Sequence, residues 1–244
     1  MLPTFMQKPF DVQYFQHIKR LFGTSLISYW PMDEAAWAST VTDYSGQAND
    51  GTPSNVTFGQ AGIGDGRTSG SFNGNNSYVD VYSAAFNADF NPALFTVMCW
   101  AKVANAAVWT DAVDLYVFRF GANINNMVDI SVWGVTEKIS ANYYAGGVVV
   151  ASPAAEYETT TTDWFHVAVT VSVAADEVKF YFNGALTEAA ATGLGTWSGA
   201  LASGWCNIGN HQILNDAWKG NIAHLVVLNK ATTLAEIAEA ARVV

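Results

Sequence analysis

The stretch WFHVAVTVSVAADEVKFYFNG, Trp164 to Gly184, decides the fold class. In its first half Phe165, Val167, Val169 and Val171 recur at every second position. In its second half Val178, Phe180 and Phe182 do the same. AADE separates the two runs, and Asn183-Gly184 closes the second. Alternation with a period of two, bounded by turn residues, predicts two antiparallel strands with unlike faces. An Asn-Gly step favours the tight turn that joins hairpin strands.

The same pattern extends in both directions. SLISYWPMDE (25–34) reads as a strand ended by Pro31, and TDYSGQANDGT (42–52) as a turn-rich loop. SFNGNNSYVDVYS (71–83) reads as a hairpin, and FTVMCWAKV (95–103) as a strong strand. DLYVFRFG, MVDISVWG and YYAGGVVVAS supply three more strands, and GTWSGALASGWCNIGN and WKGNIAHLVVLN close the set. Thr233 and Glu236 form a capping box ahead of LAEIAEAARV, a last helix expected to turn Leu234, Ile237, Ala238 and Ala241 inward. Residues 24–244 are thus expected to form one all-β sandwich with a short C-terminal helix.

Residues 1–23 differ. They carry Lys8, Lys19 and Arg20 against Asp11, in a chain whose net charge is -10. Phe10, Tyr14, Phe15, Ile18, Leu21 and Phe22 fall at helical spacing, which predicts an amphipathic helix over 10–22 ending at Gly23. Such a helix needs a surface, its own sandwich or a neighbouring subunit. We expect an arm that docks on another subunit through Phe10, Tyr14, Phe15, Ile18 and Phe22.

Composition narrows the function. Half of the 244 residues are hydrophobic and 14% are aromatic, enough for a large core. Only 13% are charged, so a surface covered by partner subunits is one reading. Eleven Lys and Arg against 21 Asp and Glu argue against nucleic acid and against an anionic membrane. No apolar run reaches the roughly 20 residues of a membrane span, and the N-terminus lacks the pattern of a secretory signal. Cys99 and Cys206 lie within expected strands and read as free buried thiols.

Several segments together resemble the laminin G-like, concanavalin A-like jelly rolls. YWPMDE (29–34), DYSGQANDGT (43–52), SFNGNNSYVDV (71–81), FTVMCWAKV (95–103), WFHVAVT, FYFNG, NIGN and KGNIAHLVVLNKATTLAEI follow that family's order. The resemblance spans about Ser25 to Val244 and implies a two-sheet jelly roll. Relatives often hold a structural calcium ion, and their closing strand often reads Gly-x-Ile-Asp-Asp. Here it is Gly220-Asn221-Ile222-Ala223-His224, without either acid. Asp43, Asn49 and Asp50 remain as oxygen ligands for calcium; the other reading of them is a turn shaped by Asx hydrogen bonds. No cofactor is expected beyond such an ion.

Glucanases of this fold carry Glu-x-Asp-x-x-Glu, which is absent here, so no catalytic residue is assigned. Glu156 and Glu158 lie in a solvated stretch. His17, His166, His211 and His224 have no metal spacing, and His166 is expected to make a structural hydrogen bond. No nucleophile elbow occurs. Trp109, Trp197, Trp205 and Trp218 lie near expected loops and are candidates for stacking on sugar rings, with Trp37 equally placed. YWPMDE, GQAGIGDG and FNGNNSYVDVYSAAFNADFN are also similar to laminin G-like proteins of tailed bacteriophages. That resemblance implies a non-catalytic virion component, first a capsid decoration protein and second a tail or host-adhesion part. Its partners would be a major capsid or other virion protein, further copies of the chain, and a cell-surface glycan. A free-standing carbohydrate-binding module is the alternative, and a glycoside hydrolase a remote one.

Overall fold

Phe165–Ser172 and Glu177–Phe182 pair antiparallel, with Val169 opposite Phe180 and Val171 opposite Val178. The connection is a short helical turn capped by the Ser172 side chain and left through Asp176 at φ +53. Asn183 and Gly184 both take positive φ, 49 and 80, as a hairpin turn of this kind requires. The computed structural model describes residues 14–243 apart from 212 and 214, with backbone alone over 151–156.

In chain order the elements begin with α1 (Tyr14–Phe22), β1 (Leu26–Trp30), β2 (Thr52–Ser54), β3 (Thr57–Ala61) and β4 (Thr68–Asn73). They continue with β5 (Tyr78–Asp80), α2 (Ala84–Asp89), β6 (Leu94–Val103), β7 (Leu115–Asn123), β8 (Asn126–Trp133) and β9 (Lys138–Ala145). The last are β10 (Val148–Tyr157), β11 (Phe165–Ser172), β12 (Glu177–Phe182), β13 (Ala185–Leu186), β14 (Asn207–Ile208), β15 (Lys219–Leu228) and α3 (Leu234–Ala240). One sheet has the order β13-β12-β11-β6-β15-β4-β3, with β1 beside β15. The other runs β10-β9-β8-β7-β14-β5-β2, and all these strands pair with one another antiparallel. The expected all-β jelly-roll sandwich is what the chain forms.

The core lies between the sheets. Trp30, Val97, Phe118, Phe120, Phe165, Val169, Phe180 and Trp218 all bury there. Turn residues hold its margins. Gly209, in the NIGN segment, has φ +78, and a Cβ there would stand 2.1 Å from the Phe72 ring.

The second face of β11 is not polar and solvated, as simple alternation suggests. His166, Ala168 and Thr170 are buried as well, because α1 and α3 lie over that sheet. Tyr14, Phe15, Ile18 and Phe22 pack there against Tyr29, Met98, Trp100, Ala168, Tyr181 and Val226. Tyr14 Oη donates to the Ala240 carbonyl at 2.6 Å, and His17 Nε2 lies 3.1 Å from the Glu239 carbonyl. The stripe expected to dock on another subunit is therefore spent inside the chain; Phe10 lies outside the described residues. In α3 the capping box is present, but Ile237 and Ala240 face inward, while Leu234 is 52% exposed and Ala238 is exposed. The helix is rotated so that Ala238 passes over Gly184, whose added Cβ would meet its Cα at 3.0 Å.

Because α1 completes a core, Ile18→Ala is expected to destabilise the fold by about 2–4 kcal/mol, the usual cost of emptying a buried aliphatic site. Urea denaturation measures it, and a change below about 0.5 kcal/mol, the range of surface substitutions, would contradict the packing.

Candidate functional site

The segment with two readings, calcium ligands or an Asx-bonded turn, makes the hydrogen bonds of a turn. Asp43 Oδ1 accepts from the Tyr29 and Ser45 N–H groups at 2.8 and 2.9 Å. Its Oδ2 accepts from Ser45 Oγ at 2.6 Å and Asn49 N–H at 2.9 Å. Asp50 Oδ1 takes the Asp43 N–H, and Asn49 Nδ2 donates to the Ile27 carbonyl and Ser28 Oγ. With both Asp43 oxygens accepting from four donors in all, these three residues clamp the turn. Among the described residues no group of three or more His, Cys, Asp or Glu side chains is placed to hold a metal ion.

The candidate tryptophans separate. Trp218 is wholly interior, its Nε1 donating to the Lys102 carbonyl at 3.2 Å, so it is core and not a sugar platform. Trp205 is half-buried. Trp197 is half-buried, stacks on Tyr143 at 5.9 Å and lines a cavity of about 120 Å³ with Asn87, Phe90, Pro92 and Leu201. Trp109 is 3% exposed and donates from Nε1 to the Thr161 carbonyl at 2.8 Å. Trp37 is the opposite case, 98% exposed with φ +70.

Trp109 does not stack outward, but it floors a cleft of about 180 Å³. Three segments build it. The helical turn Ala106–Thr110, capped by Asn105 Oδ1 on the Ala107 N–H, presents Trp109 and Thr110. The tight turn after β8 presents Thr136, Glu137 and Lys138; it is closed by the Thr136 and Glu137 N–H groups on the Trp133 carbonyl, and Glu137 takes φ +59. The strand end after β10 presents Glu158, Thr159 and Thr160. Four hydroxyls, two carboxylates and one ammonium thus surround one indole edge. Such a surface can form many hydrogen bonds to a small polar ligand with several hydroxyls. Glu137, Glu158 and Trp109 are far apart in sequence, so only the lone tryptophan could be picked out from the chain itself.

A second polar cluster escaped the sequence reading. On the outer face of the seven-stranded sheet, Arg119 Nη2 and Nε donate to Asp129 Oδ2 at 2.7 and 3.1 Å. Asp129 Oδ1 accepts from Asn142 Nδ2 at 2.7 Å and Ser131 Oγ at 3.1 Å. The guanidinium lies 4.3 Å from the Tyr116 ring centre, and Tyr116 packs on His211, which is paired with Asp216 at 2.8 Å. Burial pulls the Arg119 guanidinium down, but the adjacent Asp129 carboxylate outweighs it and raises it. The pair is buried and mutually satisfied, which suits bracing of the sheet. Arg119 and Asp129 are the only charged residues of their strands and face each other in register.

His166 departs from expectation. Its backbone N–H bonds to Asn183 Oδ1 at 2.8 Å, yet neither ring nitrogen has a hydrogen-bond partner among the described residues. Burial pushes the imidazole down to about 3. Cys99 and Cys206 are free and buried, as expected. No helix among the described residues is long and apolar enough to cross a membrane.

Solved structures share the fold. Domain 4 of AbnA, a GH43 extracellular arabinanase from Geobacillus stearothermophilus, in complex with arabinotriose, is similar over 89% of this chain and 98% of that domain, at 16% identity and a TM-score of 0.66. Trypanosoma rangeli sialidase in complex with sialic acid matches 91% of the chain at 14% identity and a TM-score of 0.65, and the chain spans about a third (33%) of its length. The botulinum neurotoxin type G receptor binding domain matches 89% of the chain at 14% identity and a TM-score of 0.63, over 51% of its own length. No curated protein sequence matches. The family model of the concanavalin A-like lectin/glucanases superfamily, of laminin G type, matches residues 73–238, and over that majority of its length the chain belongs to this superfamily.

Proposed function

We propose that the chain is a non-catalytic recognition sandwich that binds a carbohydrate in the cleft floored by Trp109. The observation that carries this reading is the lining: Thr110, Thr136, Glu137, Lys138, Glu158 and Thr159 converge on one indole edge. Hydroxyl and carboxylate acceptors in that density match vicinal sugar hydroxyls. A similar domain solved with arabinotriose, a sialidase that shares this fold over a third of its length, and a toxin receptor binding domain support the ligand class. The resemblance to phage laminin G-like proteins gives the setting, a capsid decoration or tail adhesion subunit. The apolar side chains left at the surface, Val135, Ile124 and Ile213, favour that second reading, since packing against other subunits would cover them.

A glycan array followed by calorimetry tests the first. Glu158→Gln is expected to weaken binding about tenfold, the loss of one charge-assisted hydrogen bond. Retained affinity in both Glu158→Gln and Glu137→Gln would move the site elsewhere. Release of sugar from the bound glycan, lost in Glu137→Gln, would overturn the non-catalytic assignment. Immunogold labelling of intact particles tests the virion setting.

A further inference from the structure

A sheet edge exposes unpaired backbone N–H and C=O groups, and proteins blunt such edges to avoid unwanted pairing. Among the described residues this sandwich has five. β13 is two residues long and packs against α3. β2 is three residues long and contains Pro53, which has no N–H to donate. β3 is broken at Gly59, φ +76, where its register shifts between Thr57 and Gln60. β1 is covered by its own loop, with Tyr44 N–H on the Tyr29 carbonyl and Asp43 Oδ1 on the Tyr29 N–H.

The fifth edge, β10, is ten residues long and pairs only with β9. Its first half is regular, Val148 opposite Ala145 through Ala151 opposite Asn142. Val148 is 45% exposed and Val149 52% exposed. Ile124 also stands exposed on the β7–β8 turn, which touches this hairpin through the Gly147 N–H on the Asn125 carbonyl. Residues 139–155 carry no charge at all, in a chain of net charge -10. Beyond Ala151 the register against β9 shifts before pairing resumes at Glu156, and Pro153, which has no N–H to donate, lies in that interval.

We propose that Val148–Ala151 is a homodimer interface, β10 pairing antiparallel with β10 of a second copy to join the two seven-stranded sheets. Antiparallel pairing of a strand with itself is self-complementary about a two-fold axis and requires no second surface. Charge selects the same occupant. Two copies of an acidic chain repel through most of their surface and meet at least cost where neither carries charge. A basic partner would be drawn elsewhere. The Val148 and Val149 side chains are removed from water by the same contact.

Sedimentation of the full chain, with Val149→Lys and Val149→Thr variants, tests this. The wild type is expected to shift from monomer to dimer with rising concentration. Val149→Lys should raise the dissociation constant by at least about tenfold, since a lysine on an edge blocks pairing, while Val149→Thr retains most of the affinity. Unchanged circular dichroism in both variants shows that the fold is kept. Concentration-dependent hydrogen-exchange protection of the Val148–Ala151 amides supports the assignment. A wild type that stays monomeric at high concentration overturns it, as does a dimer indifferent to Val149→Lys or one whose protection lies on another strand.

Discussion

His166→Leu is expected to make the protein about 3 kcal/mol less sensitive to acidification from pH 7 to pH 4, a shift that follows from burying an imidazole that has no hydrogen-bond partner among the described residues. The ring is wholly buried, and burial alone moves it from its ordinary 6.5 down to about 3. As pH falls below 6.5 the unfolded chain takes up a proton there, while the folded chain does not until about pH 3. The unfolded state is therefore favoured progressively across that window. Glu34 opposes the trend. Burial lifts its carboxyl from 4.5 to about 6, and one of its oxygens, Oε2, has no hydrogen-bond partner among the described residues. Its folded form resists ionisation, so stability falls as pH rises from 4.5 through 6 and returns on acidification, by about 2 kcal/mol. Wild type thus shows a partial cancellation. Glu34→Gln should steepen the acid loss, and His166→Leu should flatten it. Urea midpoints at pH 7, 5.5 and 4 give all three slopes. Parallel profiles for wild type and His166→Leu would mean that the imidazole reaches a partner or solvent.

What the chain discloses on its own follows the range of each interaction. The β11–β12 pair, the Asn183-Gly184 turn and the Thr233–Glu236 capping box depend on neighbours a few positions apart, so their residue types announce them. The Tyr14–Phe22 stripe announces only that one helix face must be covered. Whether the cover is the chain's own β15 and β6 or another molecule depends on contacts more than two hundred residues away, such as Tyr14 with Ala240. The small side chains of Ala168 and Ala223 on that face gave no sign that a helix lies over them, yet their size is what admits it. Trp109 shows the same limit at the cleft. Its position beside a loop suggested an open ring, but Thr161, from a different segment, accepts its N–H and closes over it. Glu137 and Glu158 become neighbours of that ring only through sheet register. The Asp43 loop was ambiguous for a different reason: a carboxylate that clamps backbone N–H groups and one that waits for calcium use the same residue type.

Arg119→Met is expected to cost about 3–5 kcal/mol, because it strands a buried carboxylate. Asp129 is 1% exposed and would keep only the neutral donors Asn142 Nδ2 and Ser131 Oγ. The methionine chain can still cover Tyr116, so lost packing is the smaller part. Charge and packing separate in a second variant. Arg119→Met combined with Asp129→Asn removes the stranded charge, leaves an amide of the same shape, and should recover about half or more of the loss. Double-mutant analysis of thermal or urea unfolding then gives a coupling energy between the two sites, which contact at 2.7 Å leads one to expect at 1 kcal/mol or more, roughly. Additive effects would mean that the two side chains do not share a desolvated environment. Because the pair joins β7 to β8 and Asn142 extends it to β9, the loss should also loosen the far half of the sheet. Glu137 and Lys138 sit at the end of that half, so the glycan affinity proposed for the cleft should fall with Arg119→Met even at temperatures where the variant remains folded, and recover with the paired substitution.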